Sequence, residues 1–158
     1  MKIIKTINYI SMIMIFTVSC GFQVINIDEF TNFKIAKIET AGNERINFKI
    51  KNKISIYSKE NSNNLIQINL ESKKNKNVKE RNIKNEITKY KIDIAVKVSF
   101  NKINKEDYKT FLITKNADYQ VQKQYSDTLN NEKRVIRLLT DEIADQIVKE
   151  LVLRLDDI

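Results

Sequence analysis

From Thr88 to Phe100 the chain alternates with period two: Tyr90, Ile92, Ile94, Val96, Val98 and Phe100 share one parity, while Lys89, Lys91, Asp93, Lys97 and Ser99 share the other. Successive side chains of a strand point to opposite faces, so this segment is a strand with one face in a core and one in water. A slip of one residue would turn the whole apolar row to solvent, which pins the register. All-parallel sheets are covered on both faces, so a two-faced strand argues for a mainly antiparallel sheet with helices on one side.

The neighbouring segments fit that frame. Phe33–Ala41 carries β-branched and aromatic residues, ends at Gly42 and reads as a first strand. Its apolar parity changes between Ile35 and Ile38, which a bulge or two-sided burial would explain. Asn43–Ser58 admits two readings. Ile46, Ile50, Ile54 and Tyr57 form a helical stripe with Asn43 as N-cap, whereas Ile46, Phe48, Ile50, Ile54 and Ile56 also fit a strand interrupted at Asn52. A run this long without an internal turn signal favours the helix. Leu65–Glu71 alternates through Ile66, Ile68 and Leu70. Phe111, Ile113, Ala117, Tyr119 and Val121 make a further strand, with Asn101–Asp107 as the hairpin turn before it.

From about Thr128 to Leu155 the period becomes helical, with Ile136, Leu139, Ile143, Ile147 and Leu151 in one stripe and Asp127 or Thr128 placed to cap the start. The chain holds no Pro and only two Gly, so these boundaries rest on periodicity rather than on breakers. The expected fold class is α+β: a four-stranded mainly antiparallel sheet with two helices packed on one face, in the order β-α-β-β-β-α.

The start of the chain is different in kind. Lys2 and Lys5 precede an apolar stretch from Ile7 to Val18, too short for a spanning helix and suited to the apolar region of a cleaved signal. It ends at Thr17-Val18-Ser19-Cys20-Gly21, which resembles the lipobox of bacterial lipoproteins, although Thr17 stands where Leu is usual. Cys20 is the one cysteine of the chain and supplies the thiol that would take a diacylglycerol. Cleavage would free its amine for a further acyl chain such as palmitate, and two or more chains anchor stably at about 0.8 kcal/mol per buried CH₂. An Asp after the cysteine resembles an inner-membrane retention signal; Gly21 stands there instead, so delivery to the outer membrane is expected. The expected domains are a signal over 1–19, a lipidated tether over 20–32 and a single α+β domain over 33–158.

One cysteine excludes an internal disulfide, and a chain without His has no Ser/His/Asp triad, Cys/His pair or Cys/His zinc site. No catalytic residue, metal site or cofactor is expected. Carboxylate catalysis would need two acidic groups converging in a pocket with raised pKa values.

The net charge of +8 is unevenly placed. Lys2 and Lys5 account for two of these charges, leaving +6 from Cys20 onward. Residues 73–89 carry Lys73, Lys74, Lys76, Lys79, Arg81, Lys84 and Lys89 against Glu80 and Glu86, or +5 of that +6, in what reads as one connection between two strands. Either this is a solvated hairpin tip that protects a sheet edge, or an anion-binding tip whose cations meet phosphates. The second reading makes Lys73, Lys74, Lys76, Lys79, Arg81 and Lys84 the candidate anion-binding residues. A nucleic-acid partner is not expected, because no aromatics interleave the cations and a lipoprotein leaves the cytoplasm.

Four features together resemble the LptE family, the lipoprotein partner of the outer-membrane lipopolysaccharide translocon. They are Cys20-Gly21-Phe22 after the signal; the β-α-β-β-β-α order; Lys89-Tyr90-Lys91-Ile92 leading into Val96-Lys97-Val98-Ser99-Phe100; and Asp118-Tyr119 with Gln124-Tyr125-Ser126, Asn131-Glu132, then Ile143-Ala144-Asp145-Gln146-Ile147 and Leu151. The resemblance spans the whole mature chain and implies a helix over 43–58. It implies a non-enzymatic domain that sits inside, and helps assemble, an LptD-like β-barrel, anchored at the periplasmic face of the outer membrane. It also implies contact with lipopolysaccharide near the tip of the second and third strands, where residues 73–84 lie. The rival expectation is an accessory periplasm-facing lipoprotein of another lipid-transport system of the ABC type.

Overall fold

The computed structural model describes residues 32–103, 105 and 107–156 of the chain. The signal segment, Cys20 and the tether up to Thr31 lie outside the described residues. Strand β1 spans Lys34–Gly42, helix α1 Glu44–Ile56, β2 Leu65–Arg81, β3 Ile87–Lys102, β4 Lys109–Gln120 and helix α2 Tyr125–Asp156. The four strands form one sheet in the order β1-β2-β3-β4. β1 runs parallel to β2, and the other two pairings are antiparallel. The expected α+β layout holds, and 43–58 resolves as the helix α1.

Each element follows from its sequence. β1 carries a register shift between Ile35 and Lys37, so the bulge accounts for its broken parity. α1 begins where the Asn43 side chain accepts a hydrogen bond from the Ile46 N–H, and Glu44 occupies the first turn. Ile46, Ile50 and Ile54 are buried on its inner stripe. α2 buries Val135, Leu139, Ile143, Ile147, Leu151 and Leu155. Both helices lie on the sheet face formed by Ile66, Ile68 and Leu70 of β2, Ile92 to Phe100 of β3, and Phe111, Ile113 and Tyr119 of β4. A fully buried Ile or Leu contributes about 1.5–3 kcal/mol, so this one layer carries most of the fold's stability. Lys53 ties the helices together, 2.7 Å from Asp145 and donating to the Asp141 carbonyl. The opposite sheet face bears Gln67, Asn69, Glu71, Lys97, Ser99 and Thr110, and no helix among the described residues covers it.

β1 stops opposite Ser72, and α1 starts there. The turn into the helix is locked onto that residue: the Asn43 N–H meets the Ser72 carbonyl at 3.2 Å and its Oγ at 3.1 Å, and Ser72 Oγ donates to the Asn43 carbonyl at 3.3 Å. Gly42 has φ +92°, and a Cβ there would stand 2.0 Å from the Ser72 carbonyl oxygen. Beyond Ser72, β2 continues for nine residues with neither β1 beside it nor α1 above it.

Two expectations are corrected. The basic stretch 73–89 is not a connection: β2 runs on to Arg81, and the connection is only 82–86. Its own sequence lacks apolar alternation, but the strong β3 row supplies the ladder partner, pairing Lys74 with Ile94, Lys76 with Ile92 and Val78 with Tyr90. Lysine stems can cover an apolar row while their ammonium groups stay wet. The last helix starts at Tyr125, so neither Asp127 nor Thr128 caps it. Thr128 is buried instead, and its hydroxyl accepts from the Gln122 N–H at 2.8 Å, tying the preceding loop to the helix.

Candidate functional site: a cationic hairpin

Because β2 is a strand through Arg81, its cations divide between the two sheet faces. Ile66, Ile68, Leu70 and Ser72 point toward the helices, so Lys74 and Lys76 continue that row, while Lys73 and Lys79 point to the open face. The candidate residues therefore do not form one cluster.

Lys76 is bound into the protein. Its ammonium lies 2.6 Å from Glu132 Oε2 on α2, 4.3 Å from the centre of the Tyr90 ring and 5.5 Å from that of Tyr119. The two rings stack at 5.6 Å, and the Tyr119 hydroxyl donates to the same Glu132 oxygen at 2.8 Å. Burial alone would disfavour charge on both Lys76 and Glu132. Their mutual hydrogen bond, with Tyr119 and the charge of Lys74 assisting, outweighs it: the lysine is held above its ordinary value and the carboxyl below. Burial raises the Tyr119 phenol, which keeps it a donor. One residue from each of β2, β3, β4 and α2 thus closes the core at this end.

On the open face Lys79 reaches across β3 to pair with Asp118 of β4. Lys89 pairs with Glu80 at 2.7 Å, and Lys91 with Asp93 at 3.0 Å. The Lys89 hydrogen bond and charge hold Glu80 below the ordinary carboxylate range, and Glu80 in turn raises Lys89. Lys73 faces Glu71 at 3.6 Å, with most of its side chain in solvent. Arg81 donates from Nη1 to the Asn85 carbonyl at 2.9 Å, a neutral acceptor that leaves its charge uncompensated. Lys84 lies exposed in the turn. The cations with no carboxylate partner among the described residues are therefore Lys74, Arg81 and Lys84, with Lys73 only loosely paired to Glu71, whereas Lys76 and Lys79 are already neutralised.

The turn itself is built by Asn82. Its Oδ1 accepts from the N–H groups of Lys84 and Glu86, both at 2.9 Å, and its Nδ2 donates to Glu86 Oε2 at 2.7 Å. Asn85 adopts φ 63°, a left-handed conformation that asparagine tolerates. Two shallow recesses flank the hairpin. One of about 410 Å³ is lined by Lys89, Asp118, Gln122, Asn131 and Arg134; the other, of about 300 Å³ on the open face, is lined by Glu39, Asn69, Glu71, Lys97 and Ser99. In the second, Glu39 is paired with Lys37 at 2.6 Å and Glu71 faces Lys73, so each carboxylate has its own cation.

The Lys76–Tyr90–Tyr119–Glu132 group was not singled out by sequence reasoning, although a signal exists. Glu132 falls in the inward stripe of α2 between Thr128 and Val135, and Tyr119 continues the inward row of β4. Polar groups in phase with two apolar stripes must find one another.

No family model matches the chain, and no curated protein matches it by sequence. Solved structures do share the fold. An uncharacterized lipoprotein B from Nitrosomonas europaea superposes with TM-score 0.58 at 13% identity, over 78% of this chain and 85% of that one. A candidate lipoprotein from Caulobacter crescentus CB15 gives TM-score 0.55 at 9% identity, over 83% and 96%. At these identities the likeness is one of fold.

Proposed function

We propose that this chain is a non-enzymatic outer-membrane lipoprotein, anchored through Cys20, that plugs and helps assemble a lipopolysaccharide translocon barrel and contacts lipopolysaccharide with its β2–β3 hairpin. The observation that carries the reading is the course of β2. It outruns β1 and α1 by nine residues, presents Lys74, Arg81 and Lys84 without an ion-pair partner among the described residues, and leaves Lys73 only loosely paired. Such cations suit the phosphate groups of a lipid headgroup. The uncovered polar sheet face suits the wet lumen of a large barrel, whose inner wall is polar. The sequence resemblance to the LptE family and a fold shared with bacterial lipoproteins point the same way.

The test is to solubilise the envelope gently from the native source and identify what co-purifies. Recovery of a large β-barrel protein in a 1:1 ratio supports the plug. Recovery of inner-membrane transporter subunits favours instead an accessory lipoprotein of another lipid-transport system. Replacing Lys73, Lys74, Arg81 and Lys84 by Ser is expected to weaken lipopolysaccharide binding at least tenfold, with only a small loss of thermal stability from the Lys74 charge near Glu132 and the Arg81 bond to the turn. The same exchange at Lys76 and Lys79 is expected to act through stability. A Cys20→Ser chain is expected in the soluble fraction; retention in the membrane would sink the anchor.

A further inference from the structure

The turn 82–86 holds one apolar side chain among polar ones. Ile83 is fully exposed, more so than any other large apolar residue among the described residues. Isolated apolar residues on a surface are ordinary. This one stands at the far end of a hairpin that extends past the last β4 pairing at Gln120, on a turn whose polar groups are bonded inward. The Asn82 N–H meets the Glu86 carbonyl and the Asn85 N–H meets the Asn82 carbonyl, both at 2.9 Å. Arg81 covers the Asn85 carbonyl, and the two nearby carboxylates, Glu80 and Glu86, are taken up by Lys89 and Asn82.

We propose that this turn is a wedge for an anionic lipid surface: Ile83 enters the acyl layer while Arg81 and Lys84 meet the phosphate groups at its boundary. Backbone groups leaving water are costly unless bonded internally, and here the N–H groups of Asn82, Lys84, Asn85 and Glu86 are already bonded within the turn, which leaves fewer groups to desolvate. The Asn82 hydrogen bonds already restrain the turn before contact, which reduces the ordering entropy lost on insertion. Cations on long stems beside an apolar tip match the layering of a headgroup region over acyl chains. The proposal deepens the lipid-contact reading above and rests on it only for which lipid is met.

The chain contains no Trp, so Ile83→Trp makes a single reporter at the tip. The full mature chain carrying Cys20→Ser and Ile83→Trp is mixed with vesicles of phosphatidylcholine, of phosphatidylcholine with phosphatidylglycerol, and of phosphatidylcholine with lipopolysaccharide, and with inorganic phosphate. A blue-shifted emission, quenched by brominated acyl chains, is expected with both anionic vesicles and not with the other two. Ile83→Ser is expected to lower partitioning onto the anionic vesicles about tenfold. Leu112→Trp, on the open sheet face, is expected to stay unshifted. Unchanged emission from the tip reporter in every vesicle, an equal shift in phosphatidylcholine alone, or an equal shift at Leu112→Trp would overturn the wedge. An unshifted tip with lipopolysaccharide still bound through Lys73 and Lys74 removes the wedge alone. Insertion into phosphatidylglycerol vesicles, with no lipopolysaccharide preference and no barrel partner, upholds the wedge and removes the translocon reading.

Discussion

Lys76 of β2 and Glu132 of α2 meet at 2.6 Å across 56 residues of sequence, and the Tyr119 hydroxyl shares the same carboxylate oxygen. This contact fastens the long strand to the long helix at the point where β1 and α1 no longer support it. Glu132→Ala leaves Lys76 and Tyr119 without their acceptor, and a loss of about 1–3 kcal/mol is expected from urea unfolding. The pair Lys76→Met with Glu132→Met is expected to recover part of that loss, since removing both partners strands no charge.

The same group sets a dependence on pH. The Glu132 carboxyl is held below its ordinary value of 4.5, so its contribution is complete above that pH and is lost as pH falls through the lowered folded value. Lys76 is raised above 10.5, so its contribution is complete below that pH and is lost only as pH climbs through the folded value. Thermal melts should therefore show a plateau between these limits with an acid limb below it. Glu132→Gln should flatten the acid limb; an unchanged limb would show that other carboxylates control it.

Gly42 offers a sharper case. With φ +92° and the Ser72 carbonyl oxygen 2.0 Å from any added Cβ, Gly42→Ala must shift backbone on one side or the other. A loss above about 1 kcal/mol is expected from the strained backbone alone. Amide exchange should quicken around Asn43 and Ser72.

In the core, Ile143→Ala removes a fully buried side chain of α2 and is expected to destabilise by about 2–5 kcal/mol. Leu138→Ala, on the exposed side of the same helix, should stay within about 0.5 kcal/mol. Equal losses at the two positions would contradict the helix's orientation.

The parity of Tyr90 to Phe100 was enough to define β3, its inner face and the sheet around it, because strand periodicity is a local property. Asn43 marked the start of α1 for the same reason: a cap is made within four residues. The broken parity of Ile35 and Ile38 left a bulge or two-sided burial open in β1, and the pairing with β2 decided for the bulge. Local pattern did not carry through residues 73–81. There, lysines and asparagines became strand because β3 offered an apolar row and a hydrogen-bond ladder, and Lys79 and Lys76 found their carboxylates on β4 and α2. The sequence by itself determined the order of the elements, the buried faces of β3 and of the last helix, and that the positive charge gathers around one hairpin. Only the tertiary structure decided which of those cations are neutralised and which stand open, because an ion pair depends on distance in space and the chain pattern records distance only along itself.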